Sequence, residues 1–155
     1  MQIMAGVEAK YVHTNIVAYD WRKLARFYQD VFGCQPLPPE RDYAGDWIPK
    51  VTGVTGTTIR GIHLRLPGYG GNGPTLEIFE YSRRTDRPPL ALNLPGFAHI
   101  AFHVQDVENA RKAVLAGGGK DVGEIHTMQV PGAGTITLIY MADPEGNVIE
   151  LQRWE

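Results

Sequence analysis

The stretch that decides the fold is GFAHIAFHVQD at residues 96–106, because it repeats the pattern of YVHTNIVAYD at residues 11–20. Each stretch is rich in β-forming residues, has a histidine near its start and ends in an aspartate. With His13 aligned on His99, the two copies lie 86 residues apart. A pattern that recurs in this way predicts two structural units of the same kind.

Both strand-like stretches are followed by residues with helical spacing. Asp20 and Asp106 align at the same offset, and each stands where a carboxylate caps a helix by accepting an orphan backbone N–H. Gly33 and Gly119 also align, and Gly33 and the run Gly117-Gly118-Gly119 are typical helix stops. The apolar stripes between cap and stop are Trp21, Leu24, Ala25, Tyr28, Val31 and Phe32 in the first copy and Val107, Ala110 and Val114 in the second.

Each copy continues with two strand-like segments around a turn. In the first copy, residues 57–66 and TLEIFEY (75–81) flank the turn PGYGGNGP. In the second copy, residues 135–141 and VIELQRW (148–154) flank the turn DPEGN. Each unit is therefore predicted to be a strand, a helix and then two or three strands.

The first copy has extra residues between its helix and its last strand. Residues 36–56 contain many turn residues and no sustained period, so we predict a long loop there. We also predict one further short strand in each copy, near Val51 or Val54 in the first and within residues 123–130 in the second.

These units predict an α+β fold. A helix covers only one face of its sheet, so the other face needs a partner. Two copies can pair so that they form a curved mixed sheet around a shared cleft. We predict a single domain over residues 10–155, with module 1 at about 10–82 and module 2 at about 96–155.

Four polar side chains are predicted to face this cleft. Side chains alternate between the two faces of a strand, and Glu77 and Glu150 each stand between two aliphatic residues. An inward carboxylate is costly unless it is paired or bound to metal. We predict that His13, Glu77, His99 and Glu150 together hold one divalent ion (Ni, Co, Mn, Zn or Fe), which leaves about two coordination positions open.

For other polar residues the sequence gives weaker evidence of a role in the site. A single histidine on a strand is more often a hydrogen-bonded structural residue, and we interpret His63 and His126 in this way. Four residues could line the cleft and orient a substrate, although a structural role is the more frequent one for each: Asn15, Arg65, His103 and Gln152.

At these residues the sequence resembles the vicinal oxygen chelate superfamily, which includes glyoxalase I, methylmalonyl-CoA epimerase, extradiol dioxygenases and drug-resistance proteins. The resemblance covers roughly residues 11–154 and rests on both repeat copies, on TLEIFEY and on DPEGNVIEL. It implies paired βαβββ modules and a homodimer, with the cleft within or between chains. It also implies that the four ligand positions of the glyoxalase I and epimerase branches are His13, Glu77, His99 and Glu150.

The activity that the resemblance implies is that of a metal-dependent lyase or isomerase. Glutamate at position 77, where epimerases commonly have glutamine, favours a glyoxalase I-like reaction. A divalent ion chelated by a carbonyl and its neighbouring oxygen acidifies the adjacent C–H. A carboxylate can then remove the proton and return it to the next carbon or to the other face of the same carbon. Glu150 is the candidate base, or Glu77 if it leaves the metal.

Several other activities stay open. The first alternative is an epimerase-like isomerase, and the next is an extradiol-type dioxygenase, which needs Fe(II) held by two histidines and one carboxylate. A metal-dependent thiol transferase that acts on an antibiotic is a further possibility. The last is a metal-free protein that binds a small molecule such as a drug.

Composition excludes some classes of partner and site. The 155-residue chain has a formal net charge of −2, so no overall basic field attracts nucleic acid. Cys34 is the only cysteine, which excludes an intramolecular disulfide and multi-thiolate zinc sites. The first ten residues lack the apolar run of a signal peptide, and no run reaches the length of a membrane span. We therefore expect a cytoplasmic protein whose partner is a small molecule with adjacent oxygens, with no membrane or nucleic acid bound.

Overall fold

The computed structural model describes residues 6–155, and its elements follow the predicted repeat. The elements in chain order are β1 (His13–Val17), α1 (Trp21–Phe32), β2 (Gln35–Tyr43), α2 (Trp47–Thr52), β3 (Ile59–Arg65), β4 (Thr75–Tyr81), β5 (His99–His103), α3 (Val107–Ala116), β6 (Lys120–Asp121), β7 (His126–Val130), β8 (Gly134–Ala142) and β9 (Val148–Trp154).

Each module forms its own mixed sheet. The sheet of module 1 has the order β1-β4-β3-β2, and that of module 2 has the order β5-β9-β8-β6, with β7 also paired to β8. The first strand of each module pairs in parallel with the last, β1 with β4 and β5 with β9, and the other pairs are antiparallel. The predicted α+β class is confirmed. Within the described residues, β1 and β5 each lie at the edge of their sheet.

The two main helices begin at the predicted caps. The Asp20 carboxylate accepts a 3.1 Å hydrogen bond from the backbone N–H of Lys23, and Asp106 accepts one of 3.0 Å from Asn109. Helix α1 ends at Gly33, whose φ of 69° lies in the left-handed region that favours glycine. Among residues 6–155, no helix is both long and apolar enough to span a membrane.

Residues 36–56 are not the loop that we predicted. They contain most of β2 and all of α2, and Val51 lies in α2, so the extra strand of module 1 is not near Val51 or Val54. The many prolines of β2 concealed it. They are tolerated because β2 is an edge strand and its pairing with β3 is interrupted between Leu37 and Arg41. In module 2 the further strand, β7, does fall within the predicted residues.

The last strand of each module alternates as predicted. The aliphatic neighbours of Glu77 (Leu76 and Ile78) are fully buried, as is Ile149 beside Glu150. They belong to one hydrophobic cluster with the helices of both modules. The largest fully buried side chains of this core are Tyr28, Leu24, Leu64, Leu76, Ile78, Ile139, Met141, Ile149, Leu151 and Val114.

The DPEGN turn between β8 and β9 joins module 2 to the helix of module 1. Asp143 is buried and accepts a 2.7 Å hydrogen bond from the Tyr28 hydroxyl. The carboxylate of Glu145 accepts hydrogen bonds from the backbone N–H groups of Tyr19 and Asp20, at 2.6 and 2.9 Å. Because a buried carboxylate needs partners, these bonds fix how the two modules pack against each other.

Candidate metal centre

Module 1 brings two imidazoles and one carboxylate together. The His63 Nε2 lies 2.7 Å from Oε2 of Glu77, and the His13 Nε2 lies 3.5 Å from Oε1 of the same carboxylate. Asn15 donates a 2.9 Å hydrogen bond to that Oε1. Ligand atoms of His13, His63 and Glu77 all lie within 4.8 Å of one another. The Glu77 side chain is only 12% exposed, so its charge depends on these partners.

His63 is held from both sides of its ring. Its Nδ1 lies 2.8 Å from the Thr75 hydroxyl, while its Nε2 faces Glu77. Burial lowers the pKa of His63, and Glu77 partly offsets that effect, whereas Arg41 and His13 lower the pKa further. Burial therefore favours the neutral imidazole, which is the form that binds metal.

Module 2 repeats the pair of imidazole and carboxylate without the second histidine. The His99 Nε2 lies 3.3 Å from Oε1 of Glu150, which is 6% exposed. Gln152 donates a hydrogen bond to Oε2 of Glu150 and accepts a 2.7 Å bond from the Trp154 indole. The ring of Tyr140 packs edge-on against His99, at 4.9 Å between centroids. Burial, and then the Glu150 charge, raise the pKa of that tyrosine.

Strand register makes the two clusters equivalent. His63 lies directly opposite Glu77 on β3 and β4, and Tyr140 lies directly opposite Glu150 on β8 and β9. Each module therefore presents one carboxylate between the histidine of its first strand and a ring from its neighbouring antiparallel strand. The ring is an imidazole in module 1 and a phenol in module 2.

The four predicted metal ligands lie in this chain as two pairs. His13 neighbours Glu77, and His99 neighbours Glu150. Within residues 6–155, the only group of three or more potential ligand residues with donor atoms this close is His13, His63 and Glu77. One chain therefore does not bring all four predicted ligands into a single cluster.

The four candidate substrate residues lie in different surroundings. Asn15 and Gln152 hydrogen-bond the two carboxylates, as described above. Arg65 lies beyond His63 on β3, and its guanidinium donates a 2.9 Å bond to the Gly71 carbonyl in the following turn. His103 is exposed and lies opposite Gln152 in the register of β5 and β9.

Two clefts flank these clusters. A cleft of about 320 Å³ opens beside the module 1 cluster and is lined by His13, His63, Lys10 and Arg41, among others. A larger cleft of about 620 Å³ lies between the edge strands β1 and β5, with Ile16, Tyr19, Phe97 and His99 in its walls. Lys10 and Arg41 give the first cleft a cationic rim, and the second combines apolar side chains with three arginines, Arg83, Arg84 and Arg87.

The donor chemistry fits a divalent ion. Imidazole nitrogen and carboxylate oxygen suit zinc and the neighbouring transition metals. Two donors that each lie about 2.1 Å from one ion are roughly 3.0–3.4 Å apart in octahedral or tetrahedral geometry. The donor separations of 3.5 Å in the first pair and 3.3 Å in the second are close to that range. Each pair can therefore hold two neighbouring positions of one ion with little movement.

Sequence reasoning missed His63 as a member of the module 1 cluster. A usable signal was present, because the turn PGYGGNGP is centred on Gly70 and a regular hairpin around it places His63 opposite Glu77. The same reasoning about the DPEGN turn, centred on Glu145, places Tyr140 opposite Glu150.

The fold and the motifs define a known class of protein. Residues 10–151 match the family model of the glyoxalase/bleomycin resistance protein/dioxygenase superfamily, and the chain belongs to that superfamily. This confirms the resemblance to the vicinal oxygen chelate proteins, whose members are generally enzymes.

Individual relatives agree with this placement. The chain is 30% identical over 142 residues to a probable lactoylglutathione lyase from Synechocystis, covering 90% of this chain and 92% of the relative. A glyoxalase family protein from Bacillus cereus superimposes with a TM-score of 0.72 at 18% identity, covering 99% of this chain and 98% of the other. A glyoxalase I mutant from Zea mays gives a TM-score of 0.62 at 20% identity, over 92% of this chain and 45% of the maize chain.

Proposed function

We propose that this protein is a divalent-metal-dependent lyase or isomerase that transfers a proton next to a chelated carbonyl, in a glyoxalase I-like reaction. The observation that carries the proposal is the pair of equivalent imidazole–carboxylate sets, His13 with Glu77 and His99 with Glu150. The probable lactoylglutathione lyase from Synechocystis supports the same class of reaction.

The complete centre is proposed to form across a homodimer, with module 1 of one protomer facing module 2 of its partner. Two observations support this. The two pairs are separate in one chain, and each lies near an edge strand, β1 or β5, of its sheet. Large apolar side chains are exposed at or near these edges, including Val12, Val17 and Phe97. Exposed apolar surface beside the unpaired edge of a strand is typical of a protein interface.

A bound divalent ion would supply the acidity of the substrate C–H, by drawing charge from a carbonyl and its neighbouring oxygen. Glu150 is proposed as the base that moves the proton. It is the more buried of the two carboxylates, and Gln152 holds one of its oxygens while the other lies beside His99. A fixed carboxylate in a site that excludes water can take a proton from one carbon and return it to the next. Glu77 is the second candidate for this role.

The cleft beside module 1 favours an anionic substrate. Lys10 and Arg41 lie in its wall together with His13 and His63. Cations at the rim of a cleft attract negatively charged ligands and raise their local concentration. Hemithioacetals of glutathione, and acyl-CoA thioesters whose 2-substituent carries oxygen, both combine neighbouring oxygens with negative charge, so they are the two substrate classes to test.

The proposal is tested by proton exchange. The purified protein is incubated in D₂O with a 2-oxo-aldehyde hemithioacetal or with a 2-substituted acyl-CoA, with and without Ni, Co, Mn or Zn, and followed by proton NMR. We expect deuterium to enter next to the carbonyl only when metal is present. Glu150→Gln is expected to lower the exchange rate by at least about 100-fold. Glu108→Gln, on the exposed face of α3, is the matched control. Substrates of both classes that stay fully protonated with every metal would overturn the assignment.

A further branch of the superfamily is favoured by one observation. His13, His63 and Glu77 are two histidines and one carboxylate within 4.8 Å, which is the donor set of non-haem Fe(II) oxygenases. An extradiol-type dioxygenase is therefore the second candidate. Air-sensitive dependence on Fe(II), together with oxygen uptake on adding a catechol, would identify it.

A further inference from the structure

We propose that His13, His63 and Glu77 form a three-residue metal-binding set that lies wholly within one chain. The inference rests on the proposed metal-dependent function, because it concerns the same metal centre, and it adds His63 to the ligands. Module 1 would then hold the ion through three donors. When module 2 adds its pair, a six-coordinate ion has five protein ligands, so one of them, Glu77 being the candidate, leaves before a substrate chelates through two oxygens.

The separations between donor atoms support three ligands. Glu77 presents one oxygen to each imidazole, with Oε2 2.7 Å from His63 Nε2 and Oε1 3.5 Å from His13 Nε2. The two rings meet edge to face, with 5.3 Å between their centroids. The 2.7 Å between His63 and Glu77 is shorter than the roughly 3.0–3.4 Å between two ligands of one ion, so these two side chains would move apart by a few tenths of an ångström as an ion replaces the proton between them.

The outer nitrogen of His63 has a partner that can fix the ring as in a metal ligand. Ligating histidines almost always use their second ring nitrogen to donate to a fixed acceptor, which sets the tautomer and the ring orientation. The Thr75 hydroxyl lies 2.8 Å from Nδ1 of His63 and can act as that acceptor. Metal binding would place the proton on Nδ1 and would replace the hydrogen bond from Nε2 to Glu77 Oε2 with bonds to the ion. Asn15 restrains the Glu77 carboxylate by donating a 2.9 Å hydrogen bond to its Oε1.

Module 2 does not offer a third donor of this kind. Its residue at the position of His63 is Tyr140, and a phenol is not among the usual ligands of zinc and the neighbouring transition metals. The repeat is therefore asymmetric in metal-binding capacity, with three strong donors in module 1 and two in module 2. A chain with this asymmetry keeps its ion on module 1 when the dimer opens.

Titration of the whole protein with Co²⁺ tests this. Protein stripped with a chelator is titrated by calorimetry and by the visible absorption of bound Co²⁺. His63→Phe is expected to raise the Kd by at least about 100-fold, because loss of a ligand costs at least as much as loss of an outer-shell partner. Thr75→Val, which keeps the imidazole, is expected to raise the Kd by about 10-fold, and His126→Phe, on the exposed strand β7, by less than about 3-fold.

The double variant His99→Ala, Glu150→Gln separates this inference from the proposed function. We expect it to retain a weakened site with one Co²⁺ per chain, because the module 1 set is intact. Wild-type affinity in both His63→Phe and Thr75→Val would overturn the role of His63 and leave the four-ligand centre standing. A wild-type protein that takes up no Co²⁺ would overturn both proposals. Urea unfolding of each metal-free variant checks that weaker metal binding is not caused by loss of the folded structure.

Discussion

The Tyr28 hydroxyl donates a 2.7 Å hydrogen bond to the Asp143 carboxylate, and both side chains are buried where the two modules meet. Burial and the neighbouring carboxylate raise the pKa of Tyr28 well above its usual value, so the phenol stays a donor. The other bonds of Asp143 are made within its own turn, to Glu145 and Asn147. The Tyr28 hydroxyl therefore makes the hydrogen bond that links the Asp143 carboxylate of module 2 to module 1.

Tyr28→Phe is expected to lower the free energy of unfolding by about 1–3 kcal/mol, because a buried carboxylate oxygen loses one of its two donors. Urea unfolding followed by circular dichroism measures the change. Tyr69→Phe, at an exposed tyrosine of the β3–β4 turn, should have little effect. If the two variants unfold at the same urea concentration, the contact does not stabilise the module junction.

Phe97→Asp is expected to weaken the proposed homodimer and to lower the affinity for a divalent ion, because only the module 1 donors would then hold it. Phe97 is fully exposed beside β5 and lines the cleft between the two edge strands, so a charge there would oppose the proposed contact. Sedimentation velocity at several protein concentrations gives the dimer Kd. Met128→Asp, at an exposed residue of β7, is the control. A Phe97→Asp protein that stays dimeric at all concentrations would place the interface elsewhere.

His99→Ala and Glu150→Gln are each expected to lower the affinity for a divalent ion by at least about 10-fold, because each removes one donor of the proposed centre. Equilibrium dialysis followed by elemental analysis measures the bound ion. The matched controls are His126→Ala and Glu108→Gln, which change the same residue types at exposed sites. Unchanged affinity in the first two variants would contradict the assignment of ligands to module 2.

Cys34 is expected to react slowly with thiol reagents while the protein is folded. Its side chain is 3% exposed, and burial raises the pKa of the thiol to about 11. At pH 8 roughly one thiol in a thousand would be the reactive thiolate. Labelling with 5,5′-dithiobis(2-nitrobenzoate) should therefore be slow in buffer and fast in urea. Rapid labelling of the folded protein would show that the region between α1 and β2 opens.

The repeat and the main strands could be predicted from the sequence because alternation and capping are local signals. Asp20 and Asp106 cap the helices as expected, and the aliphatic neighbours of Glu77 and Glu150 are buried. β2 was missed because its prolines are unfavourable for a strand in general. Only its edge position and its interrupted register make them acceptable, and both depend on tertiary structure.

The candidate metal centre could be predicted only in part. Alternation predicts which face a side chain takes, and it correctly places His13 near Glu77 and His99 near Glu150. It does not predict how two sheets meet, because exposed edge strands can be completed within a chain or between chains. His63 was assigned a structural role since a single histidine carries little information, although the hairpin register already places it opposite Glu77.

The most direct test of the central claim is an anomalous difference map from crystals grown with Ni²⁺ or Zn²⁺. We predict one strong peak per chain, about 2.0–2.2 Å from donor atoms of four side chains. His13 and Glu77 would come from module 1 of one protomer, and His99 and Glu150 from module 2 of the protomer that faces it. A map in which the ion contacts neither pair, or contacts module 1 alone, would contradict the claim that the two imidazole–carboxylate pairs share one ion.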